Sequence, residues 1–319
     1  MTSRLTRVQV VWSALFAAIL LLGASLGSYP TYLLCLAMVN VVAAVGLNLL
    51  VGSSGQISLC HSSFIAVGAY SSSLLSAMLG LPFWVSVPAG AAIAAGVGAL
   101  LGLPARRLSG IYLALATLGF LQIVQIVVEE FAEITGGVRG LNVPKPMFLG
   151  AALSGYAIFC VVTVACAFAI WVASNILNSR IGREFNAVRQ SPHAAQALGV
   201  SVSKVKLTAF ALSAGYAGFA GGLFSIVVGF IDPNEFGISA ALRQLTFIVV
   251  GGMGSIGGAV LGAVVLSGLP EVLRPIKEYS DVVAALLLLG SLLFMPHGLV
   301  VVWRRLFTVA ALKSHKETA

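Results

Sequence analysis

The chain has 319 residues, of which 59% are hydrophobic and only 9% charged, and a mean hydropathy of +1.03. A soluble domain carries roughly 25% charged residues, so a water-soluble fold is excluded, and the repeated long apolar runs point to membrane-crossing helices rather than a barrel. The net charge of +8 lies in segments between apolar runs, where the positive-inside rule accounts for it, so it is not read as a nucleic-acid footprint.

Taken in order, the apolar run Val8 to Gly27 is the first span, with Arg4 and Arg7 keeping the N-terminus inside. Its start resembles a signal peptide, but about 20 apolar residues exceed the ~7–15 of a cleaved core, so it is read as a retained span. The second span runs from about Thr31 to Val51 and carries Asn40 and Asn48. Eight residues apart at ~3.6 per turn, the two amides fall within about 80° of each other.

Next comes GSSGQISLCHSSF, Gly52 to Phe64, polar and glycine-bearing yet without a lysine or arginine. It is read as a non-helical or re-entrant piece at membrane depth, which requires burial in protein or a wet cavity. Gln56, Ser58, His61, Ser62 and Ser63 are then pathway candidates; the alternative is a surface loop of small residues. Spans three (about Ile65 to Leu79) and four (Phe83 to Leu103) are dense in Ala, Gly and Ser, which lets helices approach closely. Arg106 and Arg107 mark an inside loop. Span five, Ile111 to about Val128, has Thr117, Gln122 and Gln125, the two glutamines sharing a face as helix packing or path lining.

Glu129, Glu130 and Glu133 lead outside into TGGVRGLNVPKP, Thr135 to Pro146. That stretch has glycines but lacks the GxxxxGK[ST] spacing and the preceding strand of a phosphate cradle. Span six, about Gly155 to Ile176, brings the chain back inside.

Residues 178–206 form the longest polar interruption and hold Arg180, Arg183, Arg189, Lys204 and Lys206 against one acid, Glu184. A small complete helix signal lies within. Ser191 is its N-cap, Pro192 its first position, His193, Ala194, Ala195, Gln196, Ala197 and Leu198 follow, and Gly199 is the C-terminal stop. Pro192 to Leu198 spans only about 10 Å at ~1.5 Å per residue. An isolated helix that short is unstable in water, so a partner should hold it.

Span seven, Leu207 to Phe230, has a glycine-rich second half, and Asp232 to Glu235 form an outside turn. Two short apolar runs, Ser239 to Gly252 and on to Leu269, flank GGMGSIGGA and suggest broken or tightly packed helices. The last span is about Val282 to Val302, with Arg304 and Arg305 placing the tail, residues 304–319, inside. The expectation is therefore an all-α polytopic membrane bundle of about ten crossings, a single domain over residues 1–319, with broken or re-entrant segments and both termini cytoplasmic.

No carboxylate falls within the middle of any expected span, whereas ion-coupled carriers commonly rely on intramembrane ionisable groups. The four cysteines (Cys35, Cys60, Cys160, Cys166) and four histidines form no metal-ligand spacing, no disulfide framework and no nucleophile–base set. Neither a cofactor nor a metal is expected, and catalysis within the chain is not. What remains is a conduit driven from elsewhere.

At this point the residues resemble a known family, the M-type transmembrane subunit of bacterial branched-chain amino-acid ABC importers, over about residues 36–303. The carriers are GLNLLVGSSGQISLCHSSFIAVGAY (Gly46 to Tyr70), RLSGIYLALATLGF (Arg107 to Phe120), TGGVRGL (Thr135 to Leu141), residues 180–222 and MPHGL (Met295 to Leu299). In ABC importers an inside EAA pattern followed three residues later by Gly docks on the ATPase. His193 to Gly199 has that spacing, with His193 in place of the typical Glu.

The resemblance implies ATP-driven alternating access in the bacterial inner membrane. Its expected partners are two cytoplasmic ATP-binding subunits, a second homologous permease, an external solute-binding protein and membrane lipid. It implies leucine, isoleucine and valine as substrates, with urea, short amides or aromatic acids as alternatives. The ATPase-coupling residues would be Ser191, Pro192, His193, Ala194, Ala195, Leu198 and Gly199; pathway candidates are Asn40, Asn48, Gln56, Ser58 and Gln125. An ion-coupled secondary carrier and a purely structural membrane subunit are the rival classes.

Overall fold

Small residues decide which helices touch. A computed structural model of the chain describes residues 27–148 and 151–272. Six helices are long and apolar enough to cross a membrane: α1 (Ser28–Leu47, continued by a π-helical turn, Asn48–Ser53), α2 (His61–Leu79), α3 (Phe83–Ala105), α4 (Ile111–Glu130), α6 (Gly155–Asn178) and α9 (Val202–Val228). Between them lie the short α5 (Ala132–Thr135), α7 (Arg180–Gln190) and α8 (Pro192–Ala197). Two shorter apolar helices follow, α10 (Ile238–Gly251) and α11 (Ile256–Val272). The expected first span from Val8, the last span and the tail lie outside the described residues.

α3 buries Gly90, Ala94, Gly98, Gly102 and Ala105, nearly a four-residue repeat, so one stripe of its surface has almost no side chains. α9 answers with Phe210, Ala214, Gly218 and Gly222. Where α2, α3 and α9 meet, a Cβ on Gly68 would strike the Gly218 backbone, and one on Gly90 would lie 2.9 Å from the Gly68 carbonyl. Without a hydrophobic driving force between helices in lipid, such close backbone contact is a main source of packing energy.

α1 is the most buried span, wrapped by α9, α6, α10 and α11. Asn40 joins this packing: its Nδ2 donates to Ser267 Oγ (2.9 Å), and its Oδ1 accepts from Gln244 Nε2 (3.3 Å). Interhelical hydrogen bonds in membranes average ~0.6 kcal/mol and reach ~1.7, so Asn40→Ala should cost about 1 kcal/mol, read as a shift in the detergent-denaturation midpoint. At the same end of the bundle, Tyr29 Oη donates to Glu271 Oε2 (2.6 Å), joining the start of α1 to the end of α11.

The structure corrects several expectations. The described residues form the expected helical bundle, to which two short strand pairings are added. Residues 141–142 and 230–231 pair as an antiparallel ladder (β1 Leu141–Asn142, β4 Phe230–Ile231), and β2 (Met147–Phe148) pairs with β3 (Ala151–Ala152). The first ladder ties the loop after α4 to the loop after α9, and the second is a hairpin within the loop before α6. His61, Ser62 and Ser63 belong to the first turn of α2, not to an irregular piece. The helix can start there because the imidazole is satisfied inside the protein: Nε2 donates to Ala43 O (2.9 Å), and Ser213 Oγ lies 3.3 Å from Nδ1.

α9 begins at Val202, five residues before the expected Leu207, taking Lys204 and Lys206 into its first turns. Lys206 Nζ reaches the Leu108 carbonyl (2.8 Å), which provides for its charge there. The two short glycine-interrupted runs form a tight helical hairpin. A Cβ on Gly262 would lie 2.9 Å from the Gly251 Cα, so α10 and α11 touch backbone to backbone.

Candidate functional site

Three features stand apart from ordinary packing: an extended segment buried inside the bundle, a small cleft between α2 and α4, and the surface helix after α7.

The first follows from the way α1 ends. The π-turn Asn48–Ser53 widens the last part of the span, a rare geometry that is frequent at functional sites. The chain then runs without helix to Cys60, and side chains alternate: Ser54, Gln56, Ser58 and Cys60 are buried, while Gly55 and Ile57 are exposed. This period of two is that of an extended strand. Its polar groups are largely met inside: Ser54 Oγ donates to Leu50 O (2.7 Å), Gln56 Nε2 to Ser54 Oγ (2.9 Å), and the Leu59 amide to Thr117 Oγ1 on α4 (3.1 Å). Ser58 Oγ lies 3.3 Å from Cys60 Sγ. The surface-loop alternative for residues 54–60 therefore does not hold. Buried irregular backbone is the form in which such a segment is tolerated in a membrane. Gln56 Oε1 stays buried without a protein partner.

Asn48 faces the α10–α11 turn. Its Oδ1 accepts from the Gly254 amide (2.8 Å), and its Nδ2 is buried without a partner. Asn40 and Asn48 thus lie on the same side of α1, toward the α10–α11 hairpin, as their spacing required.

The second feature is a small cleft of about 10 Å³ between α2, α4 and the 3-10 turn Pro233–Phe236. Ser63 and Tyr70 line it from α2 and Gln125 from α4. Ser63 Oγ and Tyr70 Oη are both buried with no protein partner. It has room for about one water, far below the ~300–1,000 Å³ typical of small-molecule pockets. Asn40, Asn48 and Gln56 are not part of it. Gln125, from its spacing to Gln122, and Ser63, from the polar stretch 52–64, are among the residues singled out in the sequence, whereas Tyr70, an aromatic among many apolar neighbours, is not.

The third feature keeps the expected form of the small helix closely. Ser191 Oγ accepts from the Ala194 amide (3.2 Å), Pro192 occupies the first turn, and Gly199 takes φ +83°. The Gly199 amide donates to Gln196 O (2.9 Å) and the Val200 amide to Ala195 O (3.0 Å), the paired closure of a Schellman end. Ala195 anchors the helix at 2% exposure, against a small cluster that includes Phe185, Val188 and Phe210. His193 and Ala194 are exposed, and Leu198 is 83% exposed.

The sequence reasoning missed α7, the amphipathic helix that carries α8. Ser179 caps it by accepting from the Ile181 amide (3.2 Å), Arg180 pairs with Glu184 (2.8 Å), and Gly182, Phe185 and Val188 are buried. The i, i+3 spacing of those three was the available signal. α7 ends and α8 begins at the same residue, Ser191.

The model of the family described as "Branched-chain amino acid transport system / permease component" matches residues 29–292. The high-affinity branched-chain amino acid transport system permease protein LivM of Escherichia coli (strain K12) is 35% identical over 289 residues, covering 83% of this chain and 68% of that protein. The corresponding permease protein LivH of the same organism is 28% identical over 283 residues, covering 80% and 89%. The autoinducer 2 import system permease protein LsrC of Salmonella paratyphi B is 31% identical over 198 residues, covering 59% and 55%. No solved structure matches the chain. With six span-length apolar helices beneath a match this broad, the chain is a multi-pass membrane protein and belongs to the branched-chain amino acid transport system permease component family.

Proposed function

We propose that the chain is one of two permease subunits of an ATP-driven importer in the bacterial inner membrane, moving leucine, isoleucine and valine inward by alternating access. The observation that carries this reading is α8, a capped six-residue helix that leaves Leu198 bare at the end of an otherwise well-packed bundle. The chain itself holds α8 through its caps and Ala195, and an exposed leucine on that rigid stub is an anchor for a partner, here the ATP-binding subunit. Ser191, Pro192, Ala195 and Gly199 shape the stub; His193, Ala194 and Leu198 face the partner.

Charge placement gives the orientation. Arg106, Arg107, Arg180, Arg183, Arg189, Lys204 and Lys206 gather at the α8 end, against Arg139, Lys145 and Arg243 at the other. The α8 end is cytoplasmic by the positive-inside rule. Both termini are cytoplasmic on this reading, with about ten crossings in a single domain over residues 1–319. Among the described residues no carboxylate lies within a span-length helix except at its end, as with Glu129 and Glu130 closing α4, which favours outside energy over ion coupling. ATP hydrolysis belongs to separate subunits. Gln122 supports the second permease: it is exposed half-way along α4, where an amide facing hydrocarbon is costly.

The path follows Gln56 and Ser58 of the extended segment and Gln125 of the cleft, with Asn40 and Asn48 as the wall against α10 and α11. Gln56→Ala should lower labelled-leucine uptake about tenfold at equal expression, since it removes a buried amide whose loss changes polar lining by about 1–2 kcal/mol. Unchanged uptake would remove Gln56 from the path. The names of LivM and LivH favour branched-chain amino acids, and that of LsrC is the reason to test other cargo. In purified complex with its binding protein, leucine, isoleucine and valine should each stimulate ATP hydrolysis. Stimulation by urea, a short amide or an aromatic acid alone would overturn the substrate and leave the importer class standing.

A further inference from the structure

Arg189 lies next to the last residue of α7, and its Nη1 donates to the Gly52 carbonyl in the π-turn of α1. Its stem covers Gly55, where a Cβ would sit 3.2 Å from Arg189 Cγ. Across the same point is Gly254, in the α10–α11 turn at φ +84°; a Cβ there would meet the guanidinium at 2.5 Å and the Gly52 carbonyl at 3.1 Å. The Gly254 amide in turn holds Asn48 Oδ1 at 2.8 Å. The Arg189 side chain thus touches the π-turn through its guanidinium, the extended segment through its stem and the α10–α11 turn through its guanidinium, with Gly55 and Gly254 making room for it.

The arrangement is not an ion pair. Glu184, the carboxylate of α7, is taken by Arg180. A cation set against a carbonyl near the C-terminal end of a helix is favoured by the helix dipole, and a π-turn leaves carbonyls free of the regular ladder to accept it. Mechanically, α7 and α8 share Ser191 with no intervening residue, and the Ser191 amide donates to Ala187 O (3.1 Å). A displacement of α8 therefore moves α7, and with it Arg189.

We propose that Arg189 is the transmission residue of the importer: its hydrogen bond to Gly52 carries movement of α8 into the π-turn and the extended segment at membrane depth. This rests on the reading of α8 as the ATPase-docking helix. In the altered state the buried and unpartnered Asn48 Nδ2 is placed to receive a new acceptor as Gly254 shifts.

The test uses the full complex in proteoliposomes, with labelled leucine and loaded binding protein, and reads leucine moved per ATP hydrolysed. Arg189→Ala should assemble and keep basal ATP hydrolysis within about twofold, while leucine moved per ATP falls about tenfold. Arg189→Lys, still able to donate to a carbonyl, should recover most of that ratio. An unchanged ratio in Arg189→Ala overturns the proposal. So does equal loss of assembly in both variants, which assigns Arg189 a purely structural role. Absence of ATP-driven leucine uptake by the unmodified complex is the separate failure, that of the importer reading itself.

Discussion

Gly218→Leu should abolish the folded protein. A Cβ at that position would lie 3.1 Å from the Ala91 Cα and 3.2 Å from the Gly90 carbonyl, closer still to Ala94 Cβ, and Gly218 itself lies against Gly68. Backbone on two neighbouring helices cannot turn aside as a side chain can, so α2, α3 and α9 must separate. Overpacking by a few methylenes costs ~1–3 kcal/mol where neighbours yield; here about 3 kcal/mol or more is expected from a total that is rarely above ~15. The readout is monodisperse protein recovered from membranes in mild detergent, which should fall to background. Gly96→Ala is the control. Nothing lies within 4 Å of a Cβ there, so exchange of a helical glycine for alanine should be neutral or stabilising by up to ~1 kcal/mol. Equal yields of the two variants would mean that the three helices do not meet at Gly218.

Leu198→Asp should leave the fold intact and stop transport. The side chain is 83% exposed and contributes little to the chain's own packing, so thermal stability in detergent should stay within ~0.5 kcal/mol. If Leu198 seats in an apolar site on an ATP-binding subunit, the new carboxylate must enter it without a partner. Loss of an interface anchor costs ~2–4 kcal/mol, so docking should weaken by about thirtyfold or more. Co-purification of the ATP-binding subunits would then fall together with uptake. Ala195→Asp acts differently. Ala195 is buried against Phe185 and Val188, so that variant should loosen α8 from its own chain before docking is reached. Normal transport by Leu198→Asp would leave α8 as an ordinary surface helix.

Much of this was legible in the residues because short-range rules governed it. Ser191, Pro192 and Gly199 define α8 through capping chemistry that needs no distant partner, and each takes its expected place. Span boundaries followed where a polar or proline break coincided with the end of the helix, as at Phe83 and Ile111. They failed at His61 and Val202. Polar residues there extend the helices because Ala43, Ser213 and Leu108 supply partners that are remote in sequence. The extended segment at residues 54–60 could be inferred from missing charge, but its alternation of buried and exposed positions depends on what packs either side. Arg189 looked like one base among several in a cytoplasmic segment. Its link to Gly52, 137 residues away, depends on three glycines converging in space, and no spacing within the chain encodes that.

The most direct measurement of the central claim is labelled-leucine uptake into vesicles holding this chain with its co-expressed partners, ATP inside and binding protein outside. The account predicts uptake that requires ATP, stops with vanadate and persists with an uncoupler. Uptake that survives removal of ATP but collapses with the uncoupler would contradict it, and would make the chain an ion-coupled carrier despite having no carboxylate in mid-span among its described helices.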